Sequence, residues 1–304
     1  MEILLGQAYS FHQQGTRDHQ EDSRWPDCDR PSPNQRFYLV CDGVGGSEKG
    51  EVASQTVCKT FGKMLEKFDF EKDFSNSDFS RVLDAAYDSL DKAANSASFD
   101  MGTTMTFAAF HREGCTLAHI GDSRIYQIRP SVGILYRSDD HSLVNQMVHS
   151  GIITPEEAEH HPQKHVITRC MSPVKGDQSR CMATVMRTKD VQSGDYILLC
   201  SDGVLDKMTD SQIVSLLSSK INDEQKIHEI AGLCLDSRDN NTAYLIHIDK
   251  VKREGECAVE NLSPQDTIRI QTQTQSVEEI ESVQQIHPSI VKVLKEQIKQ
   301  LFNY

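Results

Sequence analysis

Three short apolar runs in this chain are each bounded by an aspartate. The aspartates are Asp42 after 37–41, Asp202 after 196–201 and Asp239 before 243–246. Apolar runs of this length are typical of strands buried in a layered core. Carboxylates at strand ends can converge at one edge of a sheet, where hard divalent cations find the oxygen ligands that they prefer. The pattern therefore predicts a metal site, and such sites are common in phosphoryl chemistry.

Bulk properties narrow the class of protein. A chain of 304 residues is long enough for one large domain with an appendage or for two domains. The formal net charge of −13 argues against nucleic acid or an anionic membrane as the main partner. No apolar stretch approaches the roughly 18 residues of a membrane span, and the N-terminus lacks the features of a signal peptide. Nine scattered cysteines without a Cys-x-x-Cys pair favour a reducing compartment, so the cytoplasm is the expected location.

Hydrophobic periodicity predicts an α+β fold. Strands are expected at 3–11, 37–42, 103–110, 115–121, 124–128, 196–200 and 243–248. Turns at 111–114 and 121–123 predict an antiparallel meander through the central three of these. Helical spacing appears over 53–65 and 79–90, and helix starts are predicted at Thr154, Thr209 and Asn222 from their capping sequences. Residues 150–170 are polar and rich in histidine, which indicates a short helical flap on the surface.

The predicted domain boundary lies near residue 250. Residues 1–250 form the main domain, and 251–304 form an extension with a polar linker at 265–285 and an amphipathic helix from Pro288. The apolar face of that helix can pack on the main domain, or 288–304 can dock a partner protein.

The segment from Arg17 to Asp22 places a guanidinium close to the carboxylates of Glu21 and Asp22. Taken alone, the segment is compatible with an ordinary surface ion pair. A functional interpretation is an Arg fork for a phosphate group beside carboxylates that hold a metal or its water.

The glycine-rich segment 42–50 does not fit either common nucleotide-binding pattern. A Walker loop requires Ser or Thr after the Lys, but Gly50 follows Lys49, and the dinucleotide fingerprint requires Gly where Glu48 stands. An aspartate followed by Gly43 is instead compatible with close approach of a backbone carbonyl to an ion.

Three further motifs are weak individually. Asp122 lies in a Gly-Asp-Ser turn, Asp202 and Asp206 are four residues apart, and Asp239 begins an Asp-Asn-Asn-Thr loop. All five motifs in this order, however, resemble the metal-dependent type 2C (PPM) family of Ser/Thr protein phosphatases, and Val166–Arg169 resembles its bacterial branch. The resemblance covers about residues 5–250.

The resemblance implies a fold, a reaction and a site. The fold is a central antiparallel β-sandwich flanked by helices on both sides, in four layers (αββα). The reaction is hydrolysis of phosphoserine and phosphothreonine by direct attack of a hydroxide that bridges two Mn²⁺ or Mg²⁺ ions. The implied partners are a Ser/Thr kinase, whose action the phosphatase would oppose, and the protein substrates of that kinase. The resemblance implies that the two ions are bound by Asp42, Gly43, Asp202, Asp239 and Glu21. Asp22 would support these ligands without binding an ion directly. Asp122 and Asp206 would bind a third, weaker ion. Arg17 would hold the phosphate.

One position departs from many eukaryotic members. Val44 stands where those members carry a His that is thought to protonate the leaving oxygen, so the proton donor stays open between a metal-bound water and His19. Two alternatives also stay open: a pseudophosphatase that acts as a scaffold or sensor, and a phosphatase of a small phosphorylated metabolite.

Overall fold

The computed structural model describes residues 1–45, 49–94, 101–174 and 179–253. The predicted linker at 265–285 and the helix at 288–304 lie outside the described residues. The strands are β1 (Glu2–Leu5), β2 (Tyr9–Gln13), β3 (Ser23–Trp25), β4 (Phe37–Cys41), β5 (Gly43–Gly45), β6 (Met101–Thr103), β7 (Met105–His111), β8 (Gly114–Ile120), β9 (Arg124–Arg129), β10 (Gly133–Arg137), β11 (Thr184–Thr188), β12 (Tyr196–Cys200) and β13 (Asn241–Lys252). The helices are α1 (Lys49–Leu65), α2 (Asn76–Ala93), α3 (Leu143–His149), α4 (Pro155–Glu159), α5 (Asp202–Leu205), α6 (Asp210–Leu217) and α7 (Asp223–Cys234).

The longer strands form two antiparallel sheets. The first sheet has the order β11-β8-β7-β4-β3. The second has the order β1-β13-β12-β9-β10, and β2 also pairs with β13. Strands β5 and β6 form a small separate ladder.

Strand β4 is buried on both faces, which explains its continuous apolar sequence. Phe37, Leu39 and Cys41 pack with residues of α1 and α2. Tyr38 and Val40 alternate with them and pack against the second sheet. Side chains at every second position share one face of a strand, so each face of β4 contributes to a different core.

Strand β12 shows the same alternation in the second sheet. Tyr196, Leu198 and Cys200 pack with α6 and α7, whereas Ile197 and Leu199 pack between the sheets. The two sheets therefore lie face to face with helices on their outer sides. The predicted α+β sandwich with four layers is confirmed.

Local capping fixes the helix starts that were predicted from sequence. The side chains of Thr154, Thr209 and Asn222 each accept a hydrogen bond from the backbone N–H three residues later, and each is part of a reciprocal capping box. Such boxes satisfy backbone donors that have no partner within the helix. No helix in the described ranges is long and apolar enough to cross a membrane.

Two predicted strands are interrupted. The run 3–11 forms two strands, β1 and β2, which both pair with β13; the register shifts between Leu4 and Leu5, and Gly6 N still donates to the carbonyl of His247 at 2.9 Å. The run 103–110 is broken at Thr104, whose backbone and hydroxyl hydrogen-bond to Asp42 rather than continuing the strand.

The predicted meander through 103–128 is wrong in its last step. Strands β7 and β8 form the expected hairpin, but β9 pairs with β10 and β12 in the other sheet. The crossing occurs at Gly121, which has a φ of +101° and lies so close to Thr104 that a Cβ would be 2.6 Å from its Cγ2. This backbone conformation suits glycine. The crossing places Asp122 where the ends of the two sheets meet.

Candidate metal centre and active site

Several strand ends meet at one end of the sandwich. The strand registers show this directly, with the pairs Cys41–Ser23, Met105–Ile120, Cys200–Ala243 and Cys200–Arg124. Strands β4, β8 and β12 therefore end where β7, β9 and β13 begin. The loops at this end carry the acids that the sequence singled out.

A cavity of about 830 Å³ opens at this end of the sandwich. Eight of the nine predicted site residues line it: Arg17, Glu21, Asp42, Gly43, Asp122, Asp202, Asp206 and Asp239. The ninth, Asp22, is buried behind the cavity wall. Val44 also lines the cavity, so an apolar side chain occupies the position where many eukaryotic members carry a His.

Asp42 is held in place through its backbone. Its N–H donates to Thr104 Oγ1 at 3.0 Å, and its carbonyl accepts from Thr104 N at 2.8 Å and from Thr103 Oγ1 at 2.9 Å. Thr104 Oγ1 also lies 2.7 Å from Ser123 Oγ, which is fully buried. The carboxylate of Asp42 therefore projects from a rigid support that also fixes the turn containing Asp122.

Glycines allow three segments to approach one another beside Asp42. A Cβ on Gly43 would lie 2.3 Å from the carbonyl oxygen of Gly50, and a Cβ on Gly50 would lie 2.8 Å from Glu21 Oε1. Gly43 N also donates to the carbonyl of Glu21 at 3.2 Å. Side chains at either position would push the Glu21 loop away from the cavity.

Asp202 and Asp206 lie on a single helical turn. Asp202 is the first residue of α5, and the N–H of Asp206 donates to its carbonyl at 3.0 Å. Residues four apart on a helix share a face, so both acids reach the cavity. Lys164 of the flap lies 3.8 Å from Asp206 Oδ1.

Asp22 contacts the segment that carries Asp202. Its Oδ2 accepts from Ser201 Oγ at 2.8 Å, and Ser201 Oγ in turn accepts from Thr242 N at 3.0 Å. Within the described residues, Asp22 Oδ1 and Asp202 Oδ1 are buried without a hydrogen-bond partner. Buried polar atoms of this kind require an explanation, and a bound ion is one.

Asp239 is already engaged by the predicted phosphate-binding residue. Arg17 Nη2 lies 2.5 Å from Asp239 Oδ2, and Asp239 Oδ1 accepts from Asn240 N at 2.8 Å. An ion that binds Asp239 therefore competes with Arg17 for one carboxylate oxygen.

Asn240 organises the site, and sequence analysis did not single it out. Its Oδ1 accepts from Glu21 N at 2.8 Å, while its Nδ2 donates to the carbonyls of Gln14 and His19 at 2.8 and 2.9 Å. One amide thus fixes the whole loop between Gln14 and Glu21 against the start of β13. In the sequence, the only indication of this role was that Asn240 directly follows Asp239 in the Asp-Asn-Asn-Thr motif.

Crowding of carboxylates in a buried space perturbs their protonation. Burial, with neighbouring acids as a further cause, raises the pKa of Asp202 to about 6, that of Asp22 to about 7 and that of Asp122 to about 8. For the same reasons the pKa of Asp42 is well above its usual range, and burial also raises the pKa of Glu21. Charged carboxylates are therefore costly here without positive charge among them.

The donor chemistry fits hard divalent cations. The cavity offers carboxylate and carbonyl oxygens, two acids have unpartnered buried oxygens, and glycines leave room for a backbone carbonyl. Oxygen-only sites favour Mg²⁺ or Mn²⁺ over Zn²⁺. The acids nevertheless surround the cavity without closing on one point: across 1–45, 49–94, 101–174 and 179–253, no three His, Cys, Asp or Glu side chains form a ready-made cage.

The predicted flap at 150–170 borders the cavity. It contains α4, and Lys164, His165 and Ile167 line the cavity wall. Near the base of the flap, Asp140 forms a two-pronged ion pair with Arg124, with both N–O distances at 2.7 Å. Asp140 is thus a structural acid.

The chain is similar to proteins of known family. Residues 27–227 match the sequence profile of the protein phosphatase 2C family. Protein phosphatase PhpP of Streptococcus pneumoniae is 32% identical over 226 residues, which is 72% of this chain and 88% of that protein.

Solved structures show the same similarity. Stp1, a Ser/Thr phosphatase from Staphylococcus aureus, is 31% identical with a TM-score of 0.68, over 82% of this chain and 98% of that one. The catalytic domain of the phosphatase PstP, solved with two manganese ions, is 27% identical with a TM-score of 0.65, over 82% of this chain and 100% of that one.

The fold and the site therefore define a metal-dependent phosphatase. The chain belongs to the protein phosphatase 2C family. The family predicted from the five sequence motifs is therefore confirmed.

Proposed function

We propose that this chain hydrolyses phosphoserine and phosphothreonine on proteins, in opposition to a Ser/Thr kinase, with two Mn²⁺ or Mg²⁺ ions bound at the end of the sandwich. The observation that carries the proposal is the set of carboxylates around one cavity, among which burial raises the pKa values of Asp42, Asp122 and Asp202, so that bound cations would stabilise their charged forms. The PstP structure with two manganese ions supports the number and the kind of metal.

The proposed ligands combine the family resemblance with position around the cavity. Asp42 would contribute to holding both ions, and Gly43 would contribute its backbone carbonyl. Asp202 and Asp239 would complete the ligands of the first ion, and Glu21 would serve the second.

A third, weaker ion is assigned to Asp122 and Asp206 together with Asp202. Asp22 is assigned a supporting role, because its bond to Ser201 fixes the segment that carries Asp202.

When bound, the ions would supply Lewis acidity and a water that ionises near neutral pH. The chain contributes orientation. Arg17 would hold phosphate oxygens, since a guanidinium presents paired donors to a phosphate. Val44 has no proton to give, so protonation of the leaving oxygen falls to water in the cavity, or to His19, which is exposed near Glu21.

We place this activity in the cytoplasm. The cysteines Cys28, Cys41, Cys58, Cys115, Cys170, Cys181, Cys200 and Cys234 are free thiols in the described part of the chain. Free thiols in this number suit a reducing compartment.

The test is release of phosphate from a phosphothreonine peptide with Mn²⁺ or with EDTA. Asp42→Asn should lower kcat/KM at least about a thousandfold, because loss of this ligand removes several kcal/mol of transition-state stabilisation. Asp18→Asn is the matched control, since Asp18 is exposed and outside the cavity lining.

Each alternative has a distinct outcome in the same assay. Binding of the phosphopeptide without turnover in Mn²⁺ would identify a scaffold. Turnover of small phosphomonoesters without turnover of any phosphopeptide would identify a metabolite phosphatase. Either result would contradict the proposed function.

A further inference from the structure

The Lys and Arg side chains that line the cavity differ in whether they already form an ion pair with a carboxylate. Three of them are paired within 4.0 Å: Arg17 with Asp239, Lys164 with Asp206 and Lys207 with Asp236. The fourth, Arg238, lines the same cavity and is exposed. Within the described part of the chain, its guanidinium has no hydrogen-bond, ion-pair or ring partner.

The backbone that carries Arg238 is held firmly on both sides. Ser237 Oγ donates to the carbonyl of Gly203 at 3.1 Å, and the carbonyl of Ser237 accepts from Thr16 N at 2.9 Å. Two residues later, Asn240 is anchored through its side chain as described above. Arg238 therefore projects from a fixed point at the cavity rim, between the metal-site loop and solvent.

We propose that Arg238 determines substrate specificity by binding a second negative charge on the phosphoprotein, namely an acidic residue close to the phosphorylated Ser or Thr. This inference rests on the proposed function, because it concerns the peptide that surrounds the scissile phosphate.

A flanking carboxylate fits Arg238 better than the scissile phosphate does. The phosphate is assigned to the ions and to Arg17, whose guanidinium contacts the proposed metal ligand Asp239. Within the described residues, the guanidinium of Arg238 contacts no acid of the metal site. Recruitment of an unpaired guanidinium also breaks no internal ion pair. In a chain with net charge −13, a free cation at the cavity mouth offers local attraction to an acidic peptide that the rest of the surface repels.

The experiment compares kcat/KM for phosphothreonine peptides that carry a single Glu at successive positions on either side of the phosphoresidue. A peptide with Gln in place of Glu and p-nitrophenyl phosphate complete the set. The enzymes are the parent, Arg238→Gln and Arg238→Lys. Arg81→Gln is the matched charge control, because Arg81 is an exposed helix residue that pairs with Asp78 and does not line the cavity.

The parent should prefer at least one Glu peptide over its Gln counterpart by about two- to fivefold, the size expected of one solvent-exposed ion pair. The effect should appear mainly in KM and weaken as salt concentration rises. Arg238→Gln should bring the ratio close to one, Arg238→Lys should restore part of it, and Arg81→Gln should leave it as in the parent.

Two results would overturn this role for Arg238. One is an unchanged Glu-to-Gln preference in Arg238→Gln. The other is an equal proportional loss on every substrate including p-nitrophenyl phosphate, which would assign Arg238 to the scissile phosphate. Absence of turnover by the parent on all phosphopeptides would instead refute the proposed function, so the two failures are distinguishable.

Discussion

Replacement of Arg17 by Ala should change metal affinity and turnover in opposite directions. Arg17 binds Asp239 Oδ2, the same carboxylate that is assigned to the first ion. Removal of the guanidinium frees this oxygen and also removes a positive charge that repels incoming cations. We therefore expect Arg17→Ala to bind Mn²⁺ more tightly than the parent and to turn over phosphopeptide more slowly.

The expected magnitudes depend on how far solvent screens the ion pair and on the strength of the hydrogen bonds to phosphate. The side chains of Arg17 and Asp239 are 51% and 27% exposed, so solvent screening limits their pair to about 0.5–1 kcal/mol. That corresponds to a gain in Mn²⁺ affinity of about two- to fivefold. Removal of charged hydrogen bonds to the phosphate, about 1.5–3 kcal/mol, should lower kcat/KM by about 10- to 100-fold.

Isothermal titration of the EDTA-stripped protein with Mn²⁺ measures the first quantity, and phosphate release measures the second. Arg17→Lys keeps the charge without the paired donors, so its Mn²⁺ affinity should lie between those of the parent and Arg17→Ala. Unchanged or weaker Mn²⁺ binding by Arg17→Ala would refute the competition between the guanidinium and the ion.

Three further predictions concern stability. In EDTA, Asp122→Asn should gain melting temperature relative to the parent as pH rises from about 4 to about 8, because burial raises the pKa of Asp122 to about 8. A carboxyl group whose pKa is higher in the folded state than in the unfolded state stabilises the folded protein at pH values below the unfolded pKa, near 4. This stabilisation is lost as the pH rises through the folded pKa. A melting-temperature difference that stays constant with pH would contradict this. Gly50→Ala should cost about 1–3 kcal/mol, because its Cβ would lie 2.8 Å from Glu21 Oε1 and from the carbonyl carbon of Gly43. A Cβ on Gly232 in α7 would meet no described atom within 4 Å, so Gly232→Ala should stabilise by about 0.4–1 kcal/mol; chemical denaturation that ranks the two variants the other way would contradict the packing described here.

Three acids that line the cavity could be located from the sequence pattern because their signal is local. Asp42 and Asp202 directly follow apolar strands, and Asp239 precedes one, so their placement at strand ends needed only the hydrophobic pattern. Capping boxes at Thr209 and Asn222 likewise fixed helix starts from adjacent residues.

The supports of the site could not be predicted because their partners are distant in the chain. Thr104 bonds to Asp42 across 62 residues, and Asn240 bonds to Glu21 across 219. The same limit explains the incorrect meander, since β8 and β9 are adjacent in sequence while their neighbours β11 and β12 come from residues 184–200. Local turn chemistry at Gly121 does not reveal which sheet the next strand joins.

We propose that carboxylates from both sheets bind a pair of divalent cations at one end of the sandwich. Anomalous diffraction at the manganese edge, from crystals soaked in Mn²⁺, would show whether they do. Two strong peaks are expected in the cavity, both within coordination distance of Asp42, and Asp42→Asn should lose them. Peaks elsewhere on the surface, or a cavity without manganese at saturating concentration, would contradict the account.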